Sequence, residues 1–143
     1  MIKSELREMK LKIFTDGGAK GNPGPAAIGF LVIDSETGKI IKTFNKRIGI
    51  NTNNVAEYLA VIEALKFLKE KKFSQADFFL DSQLVVKQLN GFFKIKNAVL
   101  RNLIIEIRRL EREIRNKIFY HLIPREENRT ADRLVKLLLA SEG

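Results

Sequence analysis

The spacing of apolar residues along this chain changes character at Asn51. Before it, Leu11 to Phe14, Ala27 to Ile33 and Lys39 to Ile48 read as extended runs joined by short turns. After it, Val55, Leu59, Ile62, Leu65 and Leu68 recur at helical spacing to about Lys72. Ala27 to Ile33 is apolar on both alternations, as expected of a strand covered on both faces. Asp34-Ser35-Glu36-Thr37-Gly38 reads as a hairpin turn, and Lys42 and Lys46 mix with Ile40, Phe44 and Ile48 as in an edge strand. Asn51-Thr52-Asn53-Asn54 supplies N-cap candidates for the long helix. Phe78-Phe79-Leu80 then forms a short buried strand stopping at Asp81-Ser82, and Gln83 to Leu89 a short helix closed by Asn90-Gly91. A second long helix runs from Asn97 to about Arg115, with Leu100, Leu103, Ile104, Ile107, Leu110 and Ile114 on one stripe. Its arginines alternate with Glu106, Glu111 and Glu113, which reads as exposed ion pairing. Ile118 to Ile123 is a last strand, Pro124 to Glu127 a loop, and Asn128 caps a final helix with Ala131, Leu134, Val135 and Leu138 facing inward.

The order β-β-β-α-β-α-α-β-α predicts a mixed sheet. Three strands on short turns form an antiparallel meander, and each helical crossover returns the chain, right-handed, to a parallel strand on the far side of the first. The first strand is then central. Asp16 and Asp81 emerge side by side at one carboxyl edge, where open α/β sheets place their sites.

Composition narrows the chemistry. A length of 143 residues fits one domain, divided here into an extension over 1–9 and a domain over 10–143. No apolar run approaches the about 18 residues that span a bilayer, and the start Met1-Ile2-Lys3-Ser4-Glu5 lacks the apolar core of a secretion signal. A cytoplasmic, monomeric protein without membrane contact is expected. The absence of cysteine excludes disulfides and thiolate metal sites. A net charge of +9, from 26 Lys and Arg against 17 Asp and Glu, suits a polyanionic partner, nucleic acid first.

Four acids stand at element ends: Asp16 in Thr15-Asp16-Gly17-Gly18, Glu57 in the first turn of the long helix, Asp81 after the fourth strand, and Asp132 in the first turn of the last helix. Each also has a local reading as turn residue, capping-box partner, N-cap or helix-dipole charge. The inferred topology brings all four toward one spot, where crowded carboxylates repel unless a cation joins them. Oxygen ligands without cysteine favour Mg2+ or Mn2+. A pair of such ions about 3.5 to 4 Å apart is the arrangement of phosphoryl-transfer sites.

Four segments carry a family resemblance: Thr15-Asp16-Gly17-Gly18 with Gly21-Asn22-Pro23-Gly24-Pro25; Thr52-Asn53-Asn54-Val55-Ala56-Glu57-Tyr58; Leu80-Asp81-Ser82-Gln83-Leu84-Val85; and Arg125-Glu126-Glu127-Asn128-Arg129-Thr130-Ala131-Asp132-Arg133-Leu134. In type and order they resemble the signature segments of type 1 ribonuclease H, over about Lys10 to Leu139. The resemblance implies a ribonuclease H-like α/β fold: a five-stranded mixed sheet, an antiparallel meander plus two parallel strands, with helices on both faces. It implies an endoribonuclease that cleaves the RNA strand of RNA/DNA hybrids with two Mg2+ ions, or Mn2+, held by Asp16, Glu57, Asp81 and Asp132. In the mechanism so implied, a metal-bound water attacks the phosphate in line and the second metal holds the departing 3′ oxygen, leaving 5′-phosphate and 3′-hydroxyl ends. Asn22, Asn53, Asn54 and Gln83 match positions that contact sugars and base edges, with Gly17, Ser82 and Asn128 of the same segments counted among the substrate contacts. Thr52 matches a position that grips a phosphate of the DNA strand.

Two departures stand out. The loop before the last acid carries no histidine. Arg125 occupies it instead, as in the histidine-lacking branch of the family, where it can hold a phosphate oxygen or assist product departure but not abstract a proton. His121 lies earlier, in the last strand, and reads as structural. The link Gly91 to Lys96 is too short for the basic protrusion that some members use to grip the hybrid; Lys87, Lys94, Lys96 and Arg101 stand near it, and Phe92 and Phe93 read as packing residues. Two other readings use the same residues: a nuclease for double-stranded RNA, and a nucleic-acid-binding module of this fold without catalysis.

Overall fold

Short turns and long crossovers give the topology that the order of elements dictates. In the computed structural model, which describes residues 9–92 and 94–140, the strands are β1 (Lys10–Ala19), β2 (Gly24–Asp34), β3 (Ile40–Asn51), β4 (Gln75–Leu80) and β5 (Lys117–Leu122). The helices are α1 (Asn53–Lys69), α2 (Gln83–Leu89), α3 (Ala98–Ile114) and α4 (Arg129–Ala140), with a 3-10 turn at Arg125–Glu127. The sheet order is β3-β2-β1-β4-β5. β1 pairs antiparallel with β2 and parallel with β4; β2 and β3 are antiparallel, β4 and β5 parallel.

Alternation along the strands decides what each face buries. Leu11, Ile13, Phe30 and Val32 meet Tyr58, Val61, Leu65 and Leu68 of α1 and Ile107 and Leu110 of α3 in one core. On the opposite face α4 lies across β1, β2 and β3, its Leu134 carbonyl accepting from Asn45 Nδ2 at 2.8 Å. β2, packed on both sides, is buried along nearly its whole length.

Several features differ from the expectations, and Phe92, read as a packing residue, is 76% exposed. β1 does not stop at Phe14. Its parallel pairing ends at Phe14↔Phe79 because β4 ends at Leu80, yet β2 continues to pair with it through Asp16↔Gly29 to Ala19↔Ala26. Asp16 therefore lies inside a strand but beyond the last paired residue of its parallel neighbour. α1 closes at Glu70, short of Lys72, as Phe73 turns into the core. Asn128 does not cap α4 with its side chain: its Oδ1 has no partner and its amide is turned inward. The other caps are local. Thr52 Oγ1 accepts from Val55 N at 3.2 Å, Ser82 Oγ from Val85 N at 3.3 Å and Asn97 Oδ1 from Leu100 N at 3.0 Å, each worth about 1 kcal/mol. Arg115, at φ 64, closes α3 in the left-handed region. On α3 the expected ion pairs form, Arg109 with Glu106 and Glu113, and Arg108 with Glu111.

Met9, assigned above to the extension, packs against the core. Residues 1–8 of that extension, and Phe93, lie outside the described residues. Among the described residues no helix is long and apolar enough to cross a membrane.

Candidate active site

Two glycines let helices reach the acids from both faces of the sheet. A Cβ on Gly17 would lie 2.3 Å from the Ala56 carbonyl carbon and oxygen, so the α1 backbone touches β1 there and brings Glu57 beside Asp16. On the other face a Cβ on Gly29, the cross-strand partner of Asp16, would lie 2.9 Å from Leu134 Cβ and 3.3 Å from Ala131 O. That close approach seats the first turn of α4, and with it Asp132, over the same end of the strand.

One oxygen from each of Asp16, Glu57 and Asp81 lies within 4.8 Å of the others. Asp16 is 8% and Glu57 7% exposed, and Glu57 Oε2 has no hydrogen-bond partner. Burial first, then the Asp81 charge and further the Asp132 charge, push the Asp16 carboxyl up to about 7 from an ordinary 3.8. Burial, followed by the charges of Asp16 and Asp81, holds Glu57 well above the usual carboxylate range. Ionising Asp16 without a counter-charge thus costs on the order of 4 kcal/mol. A converging set of anionic oxygens with one left unbonded in the interior is the donor set of a hard divalent cation. Asp132 stands beside Asp16, close enough to oppose its ionisation, and its Oδ2 is 2.9 Å from Lys136 Nζ.

The four acids, Arg125 and Lys136 line a cleft of about 410 Å3, with Gly17, Asn53, Asn54 and Ser82 on its walls. The remaining residues expected to contact substrate stand around it in different ways. Asn22 Oδ1 accepts from Asn53 N at 2.9 Å, and Asn53 Oδ1 accepts from Ala19 N at 2.8 Å, tying the β1–β2 turn to the start of α1. Thr52 and Ser82 carry the helix caps, and Gln83 is exposed at the first position of α2. Asn128 is 1% exposed; its Nδ2 donates to Thr15 O and to Asp81 Oδ2, both at 2.9 Å. It orients an acid from within rather than meeting solvent.

His121 stands apart from the cleft lining, its Nε2 2.7 Å from Asp77 Oδ1 and its ring stacked on Phe79. The residue that sequence reasoning missed is Lys136. Its four-residue spacing from Asp132 on an exposed helical turn was the available signal.

Comparison with known proteins agrees with this arrangement. A family model described as reverse transcriptase-like matches residues 14–138. A bifunctional protein of Mycobacterium tuberculosis is 38% identical over 126 residues, 88% of this chain but 34% of that protein. A ribonuclease HI of Halobacterium salinarum is 36% identical over 125 residues, 87% of this chain and 62% of the relative. The chain thus spans about a third of the mycobacterial relative and under two thirds of the halobacterial one. A ribonuclease H of Erythrobacter litoralis, 33% identical, is matched over 92% of its length and 87% of this chain. Among solved structures, LC11-RNase H1 isolated from compost superposes with a TM-score of 0.83 at 40% identity, covering 89% of this chain and 93% of that one. The same protein has been crystallised in complex with an RNA/DNA hybrid. RNase H1 of Halobacterium salinarum superposes with a TM-score of 0.87 at 34% identity, covering 92% and 98%. With the sheet order, the convergent acids and these likenesses in agreement, the chain belongs to the type 1 ribonuclease H family.

Proposed function

We propose that this chain is an endoribonuclease hydrolysing the RNA strand of RNA/DNA hybrids and leaving 5′-phosphate and 3′-hydroxyl ends. The observation that carries the reading is the approach of Asp16, Glu57 and Asp81 oxygens to within 4.8 Å of one another in the cleft. Asp16, Glu57, Asp81 and Asp132 are the residues that hold divalent ions, two Mg2+ in this reading, with Mn2+ as the alternative. When bound, the ions supply Lewis acidity toward a phosphodiester and its attacking water.

The chain's own groups do the rest. Asp16 sits past the end of β4, so its carboxylate meets the cleft without a neighbouring strand in the way. Asn128 holds Asp81 in one orientation through the 2.9 Å bond from its amide. Arg125, a permanent cation lining the same cleft, steadies a phosphate oxygen; it cannot serve as base. Asn53 and Asn54 present amides on the cleft wall, suited to a 2′-hydroxyl that both donates and accepts.

The test is incubation of the protein with end-labelled RNA/DNA hybrid, RNA duplex and DNA duplex, each with Mg2+, Mn2+ or chelator. Metal-dependent cleavage of the hybrid's RNA strand is expected, with no cleavage of DNA duplex. Binding of hybrid without cleavage in any metal would leave only a binding module. Preferential cleavage of RNA duplex would reassign the substrate.

A further inference from the structure

The half of the sheet formed by β4 and β5 has one face that no helix covers among the described residues. α4 lies across β1, β2 and β3. Along β4, Ala76, Phe78 and Leu80 are buried against the helical core while Gln75, Asp77 and Phe79 on the other face stay half-exposed.

Register stacks the side chains of this open face in rows. The outermost row is Lys10, Gln75 and Lys117, with Arg115 in the same concavity of about 400 Å3. Next come Lys12, Asp77 and Phe119, then the rings of Phe14, Phe79 and His121, stacked with centroids 5.0 and 5.1 Å apart. Two residues beyond Phe14 and Phe79, on the same face, stand Asp16 and Asp81. From Lys10 to Asp16 is about 20 Å at the rise of a β-strand.

The surface is thus a track: cations at the far end, aromatic rings in the middle, catalytic acids at the near end. Lys10, Lys12, Arg115 and Lys117 have no ion-pair partner among the described residues. Of the acids near the track, Asp77 is already engaged, accepting from Gln75 Nε2 at 2.8 Å and meeting His121 Nε2 at 2.7 Å; Glu126 and Glu127 stand with Arg129 around a concavity at Phe14, away from the cationic end. Phe119 is 44% exposed, a large ring open to solvent beside unpaired cations. Rings for base faces and unpaired cations for phosphates are what single strands require, whereas a stiff duplex filling the cleft would not bend to follow a sheet face.

We infer that the open face of β4 and β5, with the Lys10–Phe14 part of β1 beside it, binds a single-stranded continuation of the nucleic acid held in the cleft. Bases stack at Phe119 and His121, and phosphates sit at Lys10, Arg115 and Lys117. The inference rests on the nuclease reading of the cleft and adds a second contact surface to it.

The test compares a blunt RNA/DNA hybrid with the same hybrid carrying a single-stranded extension of either polarity, by fluorescence anisotropy and steady-state cleavage. One polarity of extension lowers Kd and KM on the order of tenfold, the scale of a stacked base, with kcat unchanged. Phe119→Ala and Lys117→Glu each remove most of that gain and leave kcat and KM for the blunt hybrid as in the parent, which also shows that both variants fold. The inference is overturned if neither extension improves binding, or if the gain survives in both variants. It is equally overturned if Phe119→Ala abolishes a dimer seen in sedimentation while the extension makes no difference, since a second copy would then own the face. Should the parent fail to cleave the blunt hybrid, the nuclease reading falls by itself and the anisotropy gain still decides the track.

Discussion

Asn128 Nδ2 donates to Asp81 Oδ2 at 2.9 Å, and the same nitrogen reaches Thr15 O at 2.9 Å. One buried amide thus ties the start of α4 to β1 at the residue before Asp16 and to Asp81 just past the end of β4. Asn128→Ala is expected to lower stability by about 2 kcal/mol, the cost of removing buried hydrogen bonds. It should also raise the divalent-metal concentration for half-maximal cleavage about tenfold, as losing the group that orients a ligand does. Thermal melts and a Mg2+ titration of activity check the two parts separately.

Asp81→Asn keeps the size of the side chain and removes one of three crowded charges. Cleavage is expected to disappear while hybrid binding remains. The metal-free protein should gain on the order of 1 kcal/mol, because Asp16 and Glu57 are both held up by the Asp81 charge. A variant cleaving at near the parental rate would remove Asp81 from the set of ligands.

Stability of the metal-free protein should depend on pH through the same cluster. Asp16 titrates near 3.8 unfolded and about 7 folded, so between these values the native state holds the extra proton. Its contribution is complete below about pH 4 and is lost as pH rises through about 7; Glu57, raised as well, adds in the same direction. In chelator the melting temperature should therefore fall from pH 5 to pH 8. Added Mg2+ should raise it more at pH 8 than at pH 5, where protons compete for the same oxygens. Melting curves at the two pH values, with and without metal, read this directly.

Arg125 lines the cleft and Arg112 lies on the exposed side of α3. Arg125→Ala should lower kcat about tenfold or more, the scale of a lost charge-assisted contact, with Arg112→Ala within about twofold of the parent. Equal effects in steady-state assays would reduce Arg125 to general surface charge.

Gly17→Ala should cost about 3 kcal/mol and most of the activity, since the new Cβ would fall 2.3 Å from the backbone of Ala56 and push Glu57 away from Asp16. Gly18→Ala is the control. Its Cβ would meet nothing closer than Val135 Cγ1 at 3.8 Å, so stability and cleavage should stay near the parental values.

Periodicity and turn chemistry were enough to place every strand and helix described, and topology then required Asp16 and Asp81 to share an edge. Those signals are local: residues two or four apart report on the same face whatever else the chain does. What stayed illegible depended on distant backbone. That β1 runs on through Asp16 follows from β2 pairing beyond the point where β4 stops, a fact no window around Asp16 contains. That Asn128 turns inward to Asp81 instead of capping α4 depends on residues 47 positions apart, and the need for glycine at 17 arises only where α1 crosses β1. By itself the sequence determined which acids were available and, for Glu57, Asp81 and Asp132, at which element ends they stood. Tertiary packing alone decided that Asp16 and Glu57 would be buried beside Asp81 and resist ionisation, because desolvation and mutual repulsion exist only once the chain has closed around them.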